Sequence, residues 1–311
     1  MTFAELFDLW YADKTAYVKP GTAALYALSW QRLEPYIGRV DIDNFGKVEA
    51  KALLAQHVGR GYAAHTIRDR IAVIRQMLKF ASAELGLMVK PIDWGLHMPM
   101  TAPKTLQRYT EAEALRLIRY ITNLSAEDMR RDIGVLISVM TGLRIGEVCG
   151  LRYGDVDFRG NTIAVRRTVS RIYNPVTHLE GINIGATKTR AGYRDVPLLP
   201  PLKKALRSMY KGDDDVYIAS GTDKPLCPHT LREKYANLQR RLRLPQITFH
   251  GLRHTFASML VEAGGDTKTI SVILGHSNIS TTLNLYVHPS DDAKRKAVAR
   301  AFRALSHDNR H

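Results

Sequence analysis

At 311 residues, 45% of them hydrophobic, the chain exceeds the usual size of a single core and is expected to form two globular domains rather than a disordered segment. Its 45 Lys and Arg against 30 Asp and Glu give a net charge of +15, which favours a polyanionic partner such as nucleic acid. Two cysteines, Cys149 and Cys227, exclude a disulfide framework and a CxxC metal knuckle; no apolar stretch long enough to span a bilayer and no signal pattern is visible, so a reducing cytoplasm and no membrane are expected.

The charge is unevenly placed: residues 1–100 hold 12 basic and 10 acidic side chains, leaving 33 and 20 for residues 101–311. The first part reads as four helices, over 2–14, 22–34, about 47–59 and about 64–85. In the last of these Ile67, Ile71, Ile74 and Leu78 fall on one face, predicting a four-helix core, while Arg68, Arg75 and Lys79 lie outside the stripe and read as a solvated surface. Between Gly86 and Tyr109 three prolines appear and the apolar period dissolves. The division expected is a helical domain over 1–95, a linker over 96–109, a second domain over 110–290 and a tail helix over 291–311.

A new helix is predicted at Thr110-Glu111-Ala112-Glu113, which has capping-box form, and a buried one over DIGVLISVMTG. VDF, RGN and TIAV give a strand, a turn and a strand, and GATKTRAGYRDVPL reads as another strand pair around a glycine-containing turn. Helices follow at about 200–211, 228–243, 250–263, 267–274 and 280–287. The fold class expected is mainly α, with a small antiparallel sheet in the second domain.

Three segments concentrate polar groups in apolar surroundings. In TGLRIGEVCGL, Arg144 follows an apolar run and needs a fixed anionic partner; Glu147, three residues on, fits a structural ion pair as well as Arg144 fits an anion site. In HGLRHTFA, His250 and Arg253 stand three apart on one helical face, an imidazole and a guanidinium aimed at one point, as a phosphate site requires. His250 and His254 also have a zinc-ligand spacing, but no neighbouring thiol or carboxylate completes a ligand set, and His254 reads as a packed histidine. In LGHSNISTTLNLYVH, His276 and Tyr286 taken singly read as ordinary helix residues.

Their joint order changes the reading. TGLRIGEVCGL, the hairpin TKT, HGLRHTFAS, LGHSNISTT and TLNLYVH together resemble the tyrosine recombinase, or phage integrase, family, and residues 1–86 resemble that family's helical core-binding domain. The resemblance implies a SAM-like core-binding domain followed by a mixed α/β catalytic domain of the DNA breaking-rejoining type. It implies catalytic Arg144, Lys188, His250, Arg253 and His276 with Tyr286 as nucleophile, and neither metal nor other cofactor. Lys188, on the hairpin, is the implied general acid, and His250 is the candidate general base.

Implied partners are double-stranded DNA at specific sites, three further copies of the chain in a homo-tetramer that passes through a Holliday junction, and accessory DNA-bending or directionality proteins, in a bacterial cell or phage-infected host. The apolar stripe Val298, Ala301, Phe302 and Leu305 of the tail fits packing on its own domain, and the resemblance implies instead a contact with a neighbouring copy. Lambda-type integrases often carry an extra N-terminal arm-binding domain, whereas this chain begins with core-binding helices, so the resemblance implies nothing about arm-site binding. Arg166, Arg167, Arg190, Arg194, Arg240, Arg241 and Arg243 are candidate phosphate contacts. A type IB topoisomerase would share the tyrosine chemistry, and a regulator with a decayed site would lack part of the set.

Overall fold

The computed structural model describes residues 1–97, 107–173, 180–186, 192–276 and 278–283. The chain divides into two compact units.

The first unit carries α1 (Phe3–Tyr17), α2 (Pro20–Ile37), α3 (Lys47–Gly59) and α4 (Ala64–Ala83). Thr2 caps α1 in a reciprocal box with Glu5, satisfying two backbone N–H groups that the helix leaves open. The predicted stripe Ile67, Ile71, Ile74 and Leu78 is buried against Phe3, Leu6, Trp10 and Leu33. Phe7 stacks on Trp30 at 4.6 Å.

One reading is corrected here. The stretch in which the sequence pattern dissolves packs onto this core through Trp94, fully buried edge-on to Phe45, and through Leu87, Val89 and Ile92. Arg75, read as solvated, lies over the Trp94 ring at 5.4 Å with its Nε buried. Irregular backbone carries no periodicity, so neither contact leaves a local signature.

The second unit opens with α5 (Glu111–Thr122), where Thr110 and Glu113 form the expected capping box. It continues through α6 (Ala126–Thr141), α7 (Ile145–Gly150), α8 (Pro200–Met209), α9 (Pro228–Arg241), α10 (Phe249–Glu262), α11 (Thr267–Leu274) and α12 (Ser280–Leu283). α6 is its central element, with Ile133 through Val139 buried along successive positions.

Between α7 and α8 lie β1 (Val156–Asp157), β2 (Thr162–Val165), β3 (Arg167–Tyr173), β4 (Glu180–Ala186) and β5 (Arg194–Pro197). In the β1–β2 turn the Asp157 carboxylate accepts from the backbone N–H groups of Arg159 and Gly160. β4 and β5, expected to pair with each other, join different sheets: β3 pairs with β4, and β5 pairs antiparallel with β2, Ile163 opposite Val196. Alternation predicts strands but not partners; Ile163 and Val196 are both buried, so the shared core decides the pairing. The protein is thus mainly helical with small antiparallel sheets. Among the described residues no helix is long and apolar enough to cross a membrane.

Candidate active site

α6 stops at Gly142, whose φ of 68° lies in the left-handed region that glycine adopts freely. A Cβ there would stand 2.5 Å from Phe256 Cδ1 and 2.8 Å from Leu274 Cδ2. The tight stop lets Leu143 plunge into the core and sets Arg144 at the cap of α7. The Glu147 carboxylate accepts from the Arg144 backbone N–H at 2.9 Å and from its Nη1 at 2.9 Å, while Arg144 Nη2 donates to the Gly275 carbonyl at 3.0 Å. Both readings of this segment therefore have their element: Arg144 does pair with Glu147, yet its side chain stays 40% exposed while Glu147 is 4% exposed. Burial pushes the Glu147 carboxyl up, but the bonds and charge of Arg194, then Arg144, outweigh it and hold its pKa below the ordinary value.

On α10, capped by Thr248, Arg253 is 2% exposed and donates from Nη1 to the Gly142 carbonyl at 2.9 Å and from Nη2 to the Leu274 carbonyl at 2.7 Å. Burial first, then the charge of Arg144, lowers its pKa to about 9, still above neutrality, so the side chain remains a cation. Its acceptors among the described residues are neutral carbonyls, so its charge is oriented without being cancelled.

His250 stands on the solvent-facing first turn of α10, yet desolvation by its surroundings, then Arg253 and Arg144, lowers its pKa. Arg144, His250 and Arg253 line one cleft of about 700 Å³ with Leu143, Gln246 and Thr248.

His276 follows Gly275, the left-handed cap of α11, and its Nδ1 lies 2.8 Å from Thr282 Oγ1. With the hydroxyl donating to Nδ1, the ring proton sits on Nε2, which is then a donor. Burial, followed by Arg253 and Arg144, lowers the His276 pKa to about 4, so the ring is neutral at pH 7.

The expected residues Arg144, His250 and Arg253 are thus brought together, and His276 joins them through the turn that holds Arg144. Lys188, Tyr286, Arg190 and the tail over 291–311 lie outside the described residues. His254 packs edge-to-face on His250, centroids 4.6 Å apart, and no third His, Cys, Asp or Glu gathers with them among the described residues.

One candidate phosphate contact is corrected, and two others are held in ion pairs. Arg194 is 4% exposed and gives Nη1 and Nη2 to the two oxygens of Glu147, at 3.1 and 2.9 Å, and Nε to the Ile273 carbonyl at 2.6 Å. Arg167 is tied to Asp155 at 2.7 Å and to the Gly150 carbonyl. Arg241 pairs with Asp132 at 2.6 Å over the Tyr120 ring. Arg166 and Arg243 are exposed, as is Arg240, which bonds Asn237. Strand alternation holds a signal for Arg194: it shares a face with Val196, which is buried, so it points inward.

Residues 107–293 match the model of the phage integrase family. The chain belongs to that family. It is 30% identical over 256 residues to a tyrosine recombinase XerC of Mesorhizobium japonicum, covering 79% of this chain and 75% of the relative. It is 28% identical over 285 residues to the transposase from transposon Tn916 of Enterococcus faecalis, covering 85% of this chain and 68% of the transposase. Among solved structures, the Tn1549 transposon integrase in complex with a circular intermediate DNA superposes with a TM-score of 0.75 at 25% identity, covering 97% of this chain and 99% of that one. This phage integrase family member is accordingly a site-specific recombinase that breaks and rejoins DNA.

Proposed function

We propose that the chain recombines double-stranded DNA at specific sites by transesterification at Tyr286, with Arg144, Arg253, His276, His250 and Lys188 as its catalytic set. The observation that carries this reading is the pair Arg144 and Arg253, facing one cleft and oriented by backbone carbonyls.

A phosphodiester resists a nucleophile because negative charge accumulates on the non-bridging oxygens, and preorganised donors offset that accumulation. Two guanidinium forks and the Nε2–H of His276 supply it. The Tyr286 oxygen attacks phosphorus and its proton passes to His250, whose lowered pKa leaves the imidazole neutral and able to accept. The bond from phosphorus to the 5′-oxygen breaks, and that oxygen takes a proton from Lys188. The products are a 3′-phosphotyrosyl bond and a free 5′-hydroxyl. Because one phosphate ester replaces another, a second 5′-hydroxyl reverses the step without ATP.

Residues 1–95 form the core-binding domain in this reading, 96–109 the linker and 110–290 the catalytic domain. Exchange between two duplexes needs four cuts, hence a homo-tetramer passing through a Holliday junction. Residues 291–311 dock on a neighbour, and accessory DNA-bending or directionality proteins set the outcome in the cytoplasm.

A nicked suicide duplex tests the reading, since loss of the short strand after cleavage prevents religation. Wild type forms a covalent protein–DNA complex, and Tyr286→Phe binds the site without forming one; a covalent complex with Tyr286→Phe would overturn the assignment.

A further inference from the structure

Three successive carbonyls at the C-terminal end of α11 are taken by three arginines from three different elements. Arg194 of β5 donates to Ile273, Arg253 of α10 to Leu274 and Arg144 at the head of α7 to Gly275, at 2.6, 2.7 and 3.0 Å. The end of a helix is where carbonyls lack intrahelical partners and where the helix dipole is negative, so it orients cations without neutralising them fully. The carboxylate beside this array, Glu147, is shared between Arg144 and Arg194.

The three guanidinium groups differ in what they leave over. Arg144 and Arg253 each commit two of their N–H groups within the described residues, whereas Arg194 commits all three nitrogens, to Glu147, Ile273 and the Gly192 carbonyl. Arg194 also does not line the cleft that Arg144 and Arg253 face. We propose that Arg194 is a positioning residue for strand cleavage, clamping Glu147 to the end of α11 so that Arg144 and Arg253 present their remaining N–H groups to the scissile phosphate at a fixed spacing. The inference rests on the assignment of Arg144 and Arg253 to the catalytic set.

The clamp explains why an arginine stands at this strand position. A lysine ammonium is a point donor, unable to grip both carboxylate oxygens in a planar fork while its neighbouring nitrogen holds a carbonyl. β5 follows the segment that carries Lys188, so the clamp also ties the root of that segment to the Arg144 and His276 turns.

Single-turnover cleavage of the nicked duplex by the full chain is the test, with site binding measured alongside. Arg194→Lys is expected to slow cleavage about 10- to 100-fold, the scale of a small misplacement of catalytic groups, at unchanged DNA affinity. In an Arg144→Lys background the same change should cost little further, because it acts through that residue. A wild-type rate for Arg194→Lys, or a loss that multiplies in full with Arg144→Lys, overturns the proposal. If Arg194→Lys no longer binds DNA, Glu147→Gln takes its place: slower cleavage at normal affinity, non-additive with Arg144→Lys, supports the clamp, and a normal rate overturns it. Absence of any covalent complex with wild type, or normal cleavage by Arg144→Lys, would instead refute the underlying active-site assignment.

Discussion

In the first unit Arg70 is 6% exposed and lies 4.1 Å over the Tyr62 ring, with its Nη1 bonded to nothing among the described residues. In the second, Arg253 is as deeply buried but donates to two carbonyls, and Arg194 to two carbonyls and a carboxylate. A ring face attracts a cation without fixing where its N–H groups point. Carbonyl acceptors fix them. The same buried residue type is therefore packing in one unit and preorganised charge in the other.

The largest effect that would sharpen this contrast is on cleavage. Arg253→Ala is expected to slow covalent complex formation about 10³-fold, the upper range for loss of a preorganised donor, whereas Arg70→Met should cleave near the wild-type rate; equal losses would erase the distinction. Next comes Lys188→Ala, expected to slow cleavage about 10²-fold as a lost general acid. A substrate with sulfur at the bridging 5′ position should restore its rate, because a thiolate leaves without a proton, and should not restore Arg253→Ala. Rescue of neither variant would reduce Lys188 to a phosphate contact.

Acid should separate the units more gently. The second unit carries three histidines with lowered pKa, His250, His254 and His276, the last two at about 4, against His57 in the first. Burial is the leading cause in each. Between about 4 and the ordinary value of 6.5 the unfolded chain binds protons that the folded one refuses. The stability these neutral rings contribute is fully present above pH 6.5 and is lost as pH falls toward 4. Trp10, Trp30 and Trp94 all lie in the first unit, so helical circular dichroism should start to fall at a higher pH than tryptophan fluorescence changes. Coincident acid transitions would contradict the difference.

The smallest effects concern two glycines. A Cβ on Gly146, beside Arg144, would stand 2.5 Å from Thr168 Oγ1 and 2.6 Å from the Val169 carbonyl, while one on Gly21 would meet nothing within 4 Å. Gly146→Ala should destabilise by about 1–3 kcal/mol, as overpacking does. Gly21→Ala, in the first turn of α2, should stabilise by a few tenths to about 1 kcal/mol. Thermal midpoints moving the same way would undo the argument from space.

Much of this protein was legible from local pattern. The α4 stripe, the Thr110 box and the Gly-bounded TGLR segment each follow from residues within four positions of one another, which is the range over which periodicity and capping act. The pairing of Arg144 with Glu147 has that range too. Trp94 and the β2–β5 pairing were not legible, since irregular backbone and strand partnership are settled by the core they share.

Sequence order, through the family resemblance it carries, singled out Arg144, His250, Arg253 and His276 as candidates and the class of chemistry proposed for them. Only the tertiary structure decided that Arg144 and Arg253 line one cleft while Arg194 spends all three nitrogens inside the protein. Arg144 reaches Gly275 across 131 residues and Arg194 reaches Ile273 across 79. Their acceptors are backbone carbonyls, which every residue carries, so no side chain in the sequence marks where those bonds will form.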